Sequence, residues 1–204
     1  DRIKLALFGA GRIGKIHGHN VALNPQAELV ALHDPYQVNA DHLSAALGCK
    51  QMTPEQIFSD PSITGILVCS ATDTHADLIE QAVLAGKHVF CEKPIDLSLA
   101  RVQQVVEKVN ASPITTMLAF NRRFDSNFAL LQQRIAAGEI GDVELVSIIS
   151  KDPSPPPVDY IKVSGGLFRD MTIHDFDMAR FLLAEEVVQV TAQASCLVDP
   201  AIGL

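Results

Sequence analysis

Phe8-Gly9-Ala10-Gly11-Arg12-Ile13-Gly14 is the stretch that decides the fold of this 204-residue chain. The apolar run Ile3 to Phe8 before it reads as a strand, and the amphipathic residues 12–23 after it read as a helix. Glycines at the first, third and sixth places between a strand and a helix match the dinucleotide fingerprint in its structural context. Gly9 then makes the tight turn, Gly11 lets a pyrophosphate approach the backbone, and Gly14 lets helix and strand pack closely. Arg12 and Ile13 complete the loop, and the helix N-terminus faces the anion. Twenty positions after Gly14 the second apolar run ends in His33-Asp34, where a carboxylate accepts hydrogen bonds from the adenosine ribose. A 2′-phosphate would face that charge, and Pro35-Tyr36 brings no arginine to offset it, so the expected cofactor is NAD rather than NADP.

Outward from this turn, short apolar runs alternate with amphipathic ones as far as residue 120, the grammar of βαβ units and a parallel sheet. Strands are expected at Lys4–Phe8, Glu28–His33, Gly65–Cys69, His88–Cys91 and Thr115–Leu118. Helices are expected near 12–23, 38–47, 74–85 and 97–109, with a short one at 54–59 that Thr53 caps and Pro54 opens. Beyond 120 the pattern changes. It predicts a helix near 126–137 ending at Gly138, a strand from Glu144 to Lys151, an extended loop through Pro153-Ser154-Pro155-Pro156-Pro157, a helix opening at Asp170, and a strand from Val187 to Leu197. The fold expected is α/β: a Rossmann dinucleotide-binding domain over 1–120 and an incomplete α+β domain over 121–204 with a largely antiparallel sheet. One or two helices and two strands make a thin second domain, so the chain reads as truncated.

Composition narrows the partners. A formal charge of −8, a pI near 5.3 and no basic cluster beyond Arg122-Arg123 argue against nucleic acid and anionic membranes and favour a small molecule. The four scattered cysteines suggest a reducing cytoplasm, and the Ile3–Phe8 run is too short for a signal sequence or a membrane span. In the second part, Asp170, His174 and Asp177 fall at i, i+4 and i+7, which on one helix places them on one face. Asp170 could then hold one nitrogen of His174 while the other serves as an acid/base. Spacing alone also allows a metal site or a solvated stripe. A metal is disfavoured because no further His or Cys lies at metal-ligand spacing.

The fourth and fifth strands end in Ser70-Ala71-Thr72-Asp73-Thr74-His75 and Cys91-Glu92-Lys93-Pro94. Ligands of such sheets bind beyond the strands' carboxyl ends, so Ser70 and Glu92 are expected beside the cofactor. With Glu-Lys-Pro in that place, the whole chain resembles the glucose-fructose oxidoreductase and inositol dehydrogenase family. Lys151-Asp152-Pro153, the prolines, Tyr160-Ile161-Lys162-Val163-Ser164-Gly165-Gly166 and the Asp170/His174 segment are most similar to its myo-inositol 2-dehydrogenase branch. The resemblance implies that Lys93, Asp170 and His174 handle the substrate hydroxyl. It also implies that Thr72 and His75 line the nicotinamide side, and that Asn121 and Arg123 lie by the cofactor where the second domain begins. Asp73 stands where the family often has proline.

Lys151, Asp152, Tyr160 and Asp177, with Lys93 and His174, are the polar groups available to a polyol. The implied activity is NAD-dependent oxidation of myo-inositol to its 2-ketone by a cytoplasmic homo-oligomer. The alternatives are a dehydrogenase of scyllo-inositol or another sugar derivative, or an NAD-sensing protein without catalysis. His75 as a helix-terminal residue without a ligand, Asp177 as a solvated charge and Arg122 paired with a surface acid are the plain structural alternatives, while His17 is expected to be surface or structural.

Overall fold

The computed structural model describes residues 2–202, which divide between Ala119 and Phe120 into two compact units. The first unit runs β1 (Ile3–Phe8), α1 (Arg12–Leu23), β2 (Ala27–His33), α2 (Gln37–Leu47), β3 (Lys50–Gln51), α3 (Pro54–Ser59), β4 (Gly65–Val68), α4 (His75–Ala85), β5 (His88–Cys91), α5 (Leu99–Asn110) and β6 (Thr116–Leu118). All strand pairs are parallel, in the order β3-β2-β1-β4-β5-β6. The order reverses between β1 and β4, the kind of topological switch point at which open α/β sheets bind ligands beyond the strands' carboxyl ends.

Period-two alternation sends the strand side chains to two cores. Ala6, Phe8, Ile66, Val68, Val89 and Cys91 pack with Ile57, Ile79 and Val105 from α3, α4 and α5. Leu7, Leu29, Leu32 and Leu67 pack with Val21 and Leu43 from α1 and α2 on the other face. A sheet covered on both faces explains why its strands are near-continuous apolar runs. The cap expected of α3 is present as a reciprocal box. Gln56 N–H donates to Thr53 Oγ1 at 3.3 Å, and Thr53 N–H donates to Gln56 Oε1 at 2.8 Å.

The second unit holds α6 (Ser126–Ala136), α7 (Val158–Ser164), α8 (Gly166–Asp170) and α9 (Ile173–Leu183). Asp125 caps α6 by accepting from the amides of Asn127 and Phe128. Met178 and Leu182 of α9 are buried.

Two expectations are corrected here, and one element is added. Residues 144–151 and 187–197 form no strand among the described residues, and the described sheet is wholly parallel and confined to the first unit. A strand exists only as one half of a hydrogen-bonded pair, and these stretches have the side-chain composition of strands without a partner ladder. Residues 158–164, to which the sequence pattern assigned no element, form α7, which starts as soon as Pro157 ends the run. Finally, Asp170 and His174 do not share one regular helix. The amides of both Met171 and Thr172 donate to Leu167 O, at 3.1 and 2.9 Å, so the ladder slips between α8 and α9.

Candidate active site

The fingerprint loop of the first unit is shaped by contacts that a side chain would destroy. Gly9 has φ of +95°, and a Cβ there would lie 2.5 Å from Cys69 O. A Cβ on Gly14 would lie 1.9 Å from Gly9 O, so helix and turn touch backbone to backbone. Gly11 differs, because a Cβ there would meet nothing within 4 Å. Its openness keeps the approach to the start of α1 clear. Gly11 is the N-cap of that helix, no side chain caps its first amides, and no acidic residue stands in its first turn. Open amides and an uncompensated helix dipole suit a pyrophosphate, so the residues present fit a dinucleotide. Arg12 and Ile13 follow on the first turn, Arg12 exposed and Ile13 half-buried.

Asp34 stands at the end of β2 and is fixed from two sides. Its Oδ2 accepts from Ala10 N–H at 2.6 Å and its Oδ1 from Tyr36 N–H at 2.8 Å. The carboxylate is thereby pinned against the glycine turn with acceptor capacity left on each oxygen. Below the turn, burial together with the nearby Glu92 carboxylate pushes the Cys69 thiol up to about 12, which removes thiolate chemistry at this place.

The two strand tips are built differently from the expectation. Ser70 and Thr74 join their hydroxyls at 2.6 Å, and the Thr74 hydroxyl also donates to Ala71 O at 2.7 Å, bracing a turn in which Thr72 is half-buried. His75, expected to line the nicotinamide side, is only 2% exposed. Its Nδ1 lies 2.7 Å from Pro94 O and its Nε2 3.1 Å from Ser70 O. A ring enclosed by two loop carbonyls has almost no surface for a ligand, so His75 ties the two tips together from behind. Glu92 is engaged as well. Its Oε1 lies 2.7 Å from His17 Nε2 of α1, a partner that spacing could not reveal across 75 positions. Lys93 is half-buried in the same loop.

The second unit contributes a cavity of about 370 Å³ lined by Arg122, Ser150, Lys151, Asp152, Asp170, Met171 and His174. Lys151, Asp152, Asp170 and His174 are thus brought together despite the slip between α8 and α9. Tyr160 joins them indirectly, its hydroxyl donating to Asp170 Oδ1 at 3.1 Å. The Phe120 ring meets the His174 ring edge-on, with centroids 6.4 Å apart.

Asp177 and Arg123 leave this set. Asp177 is buried, and the Arg123 guanidinium donates through Nε to Oδ2 at 2.8 Å and through Nη2 to Oδ1 at 2.6 Å. Those bonds push the Arg123 pKa up, and the same guanidinium sits 5.2 Å from the centre of the Phe181 ring. The pair fastens the 121–124 turn to α9, so Asp177 is a buried, paired charge rather than a solvated one, while the Arg123 side chain stays partly exposed. Asn121 opens the same turn and is exposed.

Asp175 was missed by the sequence reading. It accepts from Arg122 and, at 2.7 Å, from the Ser150 hydroxyl, and so organises two cavity-lining side chains. Its only sequence signal was a third acid beside His174. Among the described residues no group of three or more His, Cys, Asp or Glu is placed to hold a metal, and no helix is long and apolar enough to cross a membrane.

A model of an oxidoreductase family with an NAD-binding Rossmann fold matches residues 3–120, and the GFO/IDH/MocA C-terminal domain matches 128–203. The inositol 2-dehydrogenase of Rhizobium meliloti is 52% identical, covering 98% of this chain and 61% of its own length. The myo-inositol 2-dehydrogenase of Thermotoga maritima is 43% identical with the same coverages. The crystal structure of scyllo-inositol dehydrogenase from Lactobacillus casei with NAD(H) and scyllo-inositol bound superposes with a TM-score of 0.80 at 32% identity, covering 91% of this chain and 57% of that one. The chain therefore spans about three-fifths of the length of the relatives it matches.

Proposed function

The chain belongs to the GFO/IDH/MocA oxidoreductase family, and from that premise we propose that the full-length protein oxidises a cyclic polyol, myo-inositol at its 2-hydroxyl, with NAD as hydride acceptor. The observation that carries the reading is the open Gly11 cradle at an uncapped helix, beside a pinned Asp34 and next to the Glu92-Lys93-Pro94 tip. Gly9, Gly11, Arg12, Ile13 and Gly14 would hold the pyrophosphate, Asp34 the adenosine ribose, and the Ser70–Thr72 and Glu92 tips the nicotinamide end. The cofactor supplies a two-electron acceptor for the hydride leaving the carbinol carbon.

The chain's own residues manage the proton and the orientation. His174 Nε2 takes the hydroxyl proton as the C–H bond gives up its hydride. Asp170, which accepts from Tyr160, supports the charge that His174 gains. The Lys93 ammonium donates a hydrogen bond to the alkoxide as it forms, keeping its own proton, or passes on the proton that His174 takes. Lys151 and Asp152 offer a donor and an acceptor to the other ring hydroxyls from the wall of the second unit's cavity. In the full-length protein, on this reading, residues 144–151 and 187–197 pair into a largely antiparallel sheet, and the protein is a cytoplasmic homo-oligomer.

NADH formation by the full-length protein with myo-inositol is the test. Turnover on scyllo-inositol alone would move the substrate within the class, and no turnover on any inositol would overturn the reading. Lys93→Ala and His174→Ala should each lower kcat by about a thousandfold, within the range removed with an acid/base group, while NAD binding measured by fluorescence stays intact. Full activity in either variant would take that residue out of the mechanism.

A further inference from the structure

We propose that His17 and His75 are positioning residues that grip the Glu92-Lys93-Pro94 tip from opposite faces of the sheet and set the aim of Lys93. The inference rests on the role given to Lys93 above. On β5 alternate residues face opposite ways. Phe90 packs in the core of the α1 face and Cys91 in the core of the α4 face. His17 comes from α1 and meets this strand twice. Its ring stands edge-on to Phe90, with centroids 4.8 Å apart, and its Nε2 reaches Glu92 Oε1 at 2.7 Å. His75 comes from the start of α4 on the other face, with its Nδ1 2.7 Å from Pro94 O. Lys93 is thus the one residue between two anchored neighbours, its predecessor held through a side chain and its successor through a backbone carbonyl.

Each anchor leads back to the fingerprint crevice. His17 lies five residues beyond Arg12 on the helix whose first turn would hold the pyrophosphate. The other ring nitrogen of His75 faces Ser70 O at the tip of β4, 3.1 Å away. A tip fastened to both elements holds a lysine in one orientation, where a free loop of the same sequence would spread it over many. Such preorganisation acts on the reacting geometry rather than on cofactor affinity. Neither histidine needs to touch a ligand for this, and the 2% exposure of His75 excludes it.

The test compares His17→Phe and His75→Leu with the conservative His17→Gln and His75→Asn in the full-length protein. Gln can still donate to Glu92, and Asn to Pro94 O. The readouts are kcat, KM for the polyol, NAD affinity by fluorescence, and the rate at which acetic anhydride labels Lys93 under saturating NAD, followed by peptide mass spectrometry. His17→Phe and His75→Leu should lower kcat at least tenfold, change NAD affinity less than threefold and raise Lys93 labelling at least threefold relative to Lys108. The conservative pair should recover most of each change. His17 is half-buried and its replacement fits the fold, so it stands even where His75→Leu does not fold. An unchanged labelling rate in His17→Phe overturns the bracket, and so does a loss of kcat matched by an equal loss of NAD affinity. If the wild-type protein turns over no inositol, the proposed reaction fails while the labelling still decides the bracket.

Discussion

Gly11 and Gly14 differ by three positions and by opposite physical demands, and the difference is measurable. Gly14→Ala forces a Cβ to within 1.9 Å of a backbone oxygen. It should destabilise the first unit by about 3 kcal/mol, at the upper end of overpacking costs, seen as a fall in urea midpoint. Gly11→Ala meets open space. It should cost under about 1 kcal/mol, the scale of an N-cap substitution, yet weaken NAD about tenfold, or 1.4 kcal/mol, by filling the pyrophosphate's approach. Equal stability losses in the two variants would refute the assignment. Asp177 obeys a third rule. Asp177→Asn leaves the Arg123 guanidinium without its counter-charge, and because that guanidinium is partly solvated the cost should be about 2 kcal/mol, below the full value for a buried pair. Thermal unfolding would show it, and a KM effect without destabilisation would return Asp177 to the substrate site.

At the scale of elements, α4 and α5 are joined by charge as well as by apolar packing. Arg101 donates to Glu80 and Asp77, each at 2.5 Å, and Lys108 Nζ to Glu80 at 2.8 Å. The hydrogen bonds from Arg101 and Lys108 hold the Glu80 carboxyl at about 2, against an ordinary value of 4.5. A depressed carboxylate stabilises the fold above its unfolded pKa and loses that contribution as pH falls through the folded one. The Glu80 contribution should therefore be whole above about pH 4.5 and gone near pH 2. At this partly exposed helix pair it is worth about 1 kcal/mol after solvent screening. Glu80→Gln should thus be less stable than wild type at pH 7 and equal to it at pH 2. A constant difference across that window would mean that packing, not charge, joins the helices.

At the scale of the whole molecule, a ligand that binds only the folded state adds stability by mass action, about 2.7 kcal/mol at a hundred times its Kd. NAD should raise the melting temperature of the first unit accordingly, while NADP at equal concentration should leave it nearly unchanged because of Asp34; equal shifts would remove the cofactor preference. How far such properties were legible depended on the range of the interactions involved. The strands of the first unit were readable because a sheet buried on both faces imposes short apolar runs between turn signals, a pattern contained in a few neighbouring residues. The fingerprint was readable because close backbone contact admits only glycine, and Thr53 and Pro54 spelled out a cap that is wholly local. The slip at Met171-Thr172 was hidden because every residue around it tolerates helical dihedrals, and only the sharing of Leu167 O reveals it. The strand character of 144–151 and 187–197 was a composition without a partner, and pairing is never local. By itself, then, the sequence determined the doubly wound domain, its nucleotide turn and the presence of Lys93, Asp170 and His174. Only the tertiary structure decided which polar groups are spent inside it. Arg123 and Asp177 are 54 positions apart, His17 and Glu92 are 75 apart, and His75 meets two loop carbonyls. A side chain's partner is fixed by where the folded backbone brings it, and spacing along the chain carries no record of that.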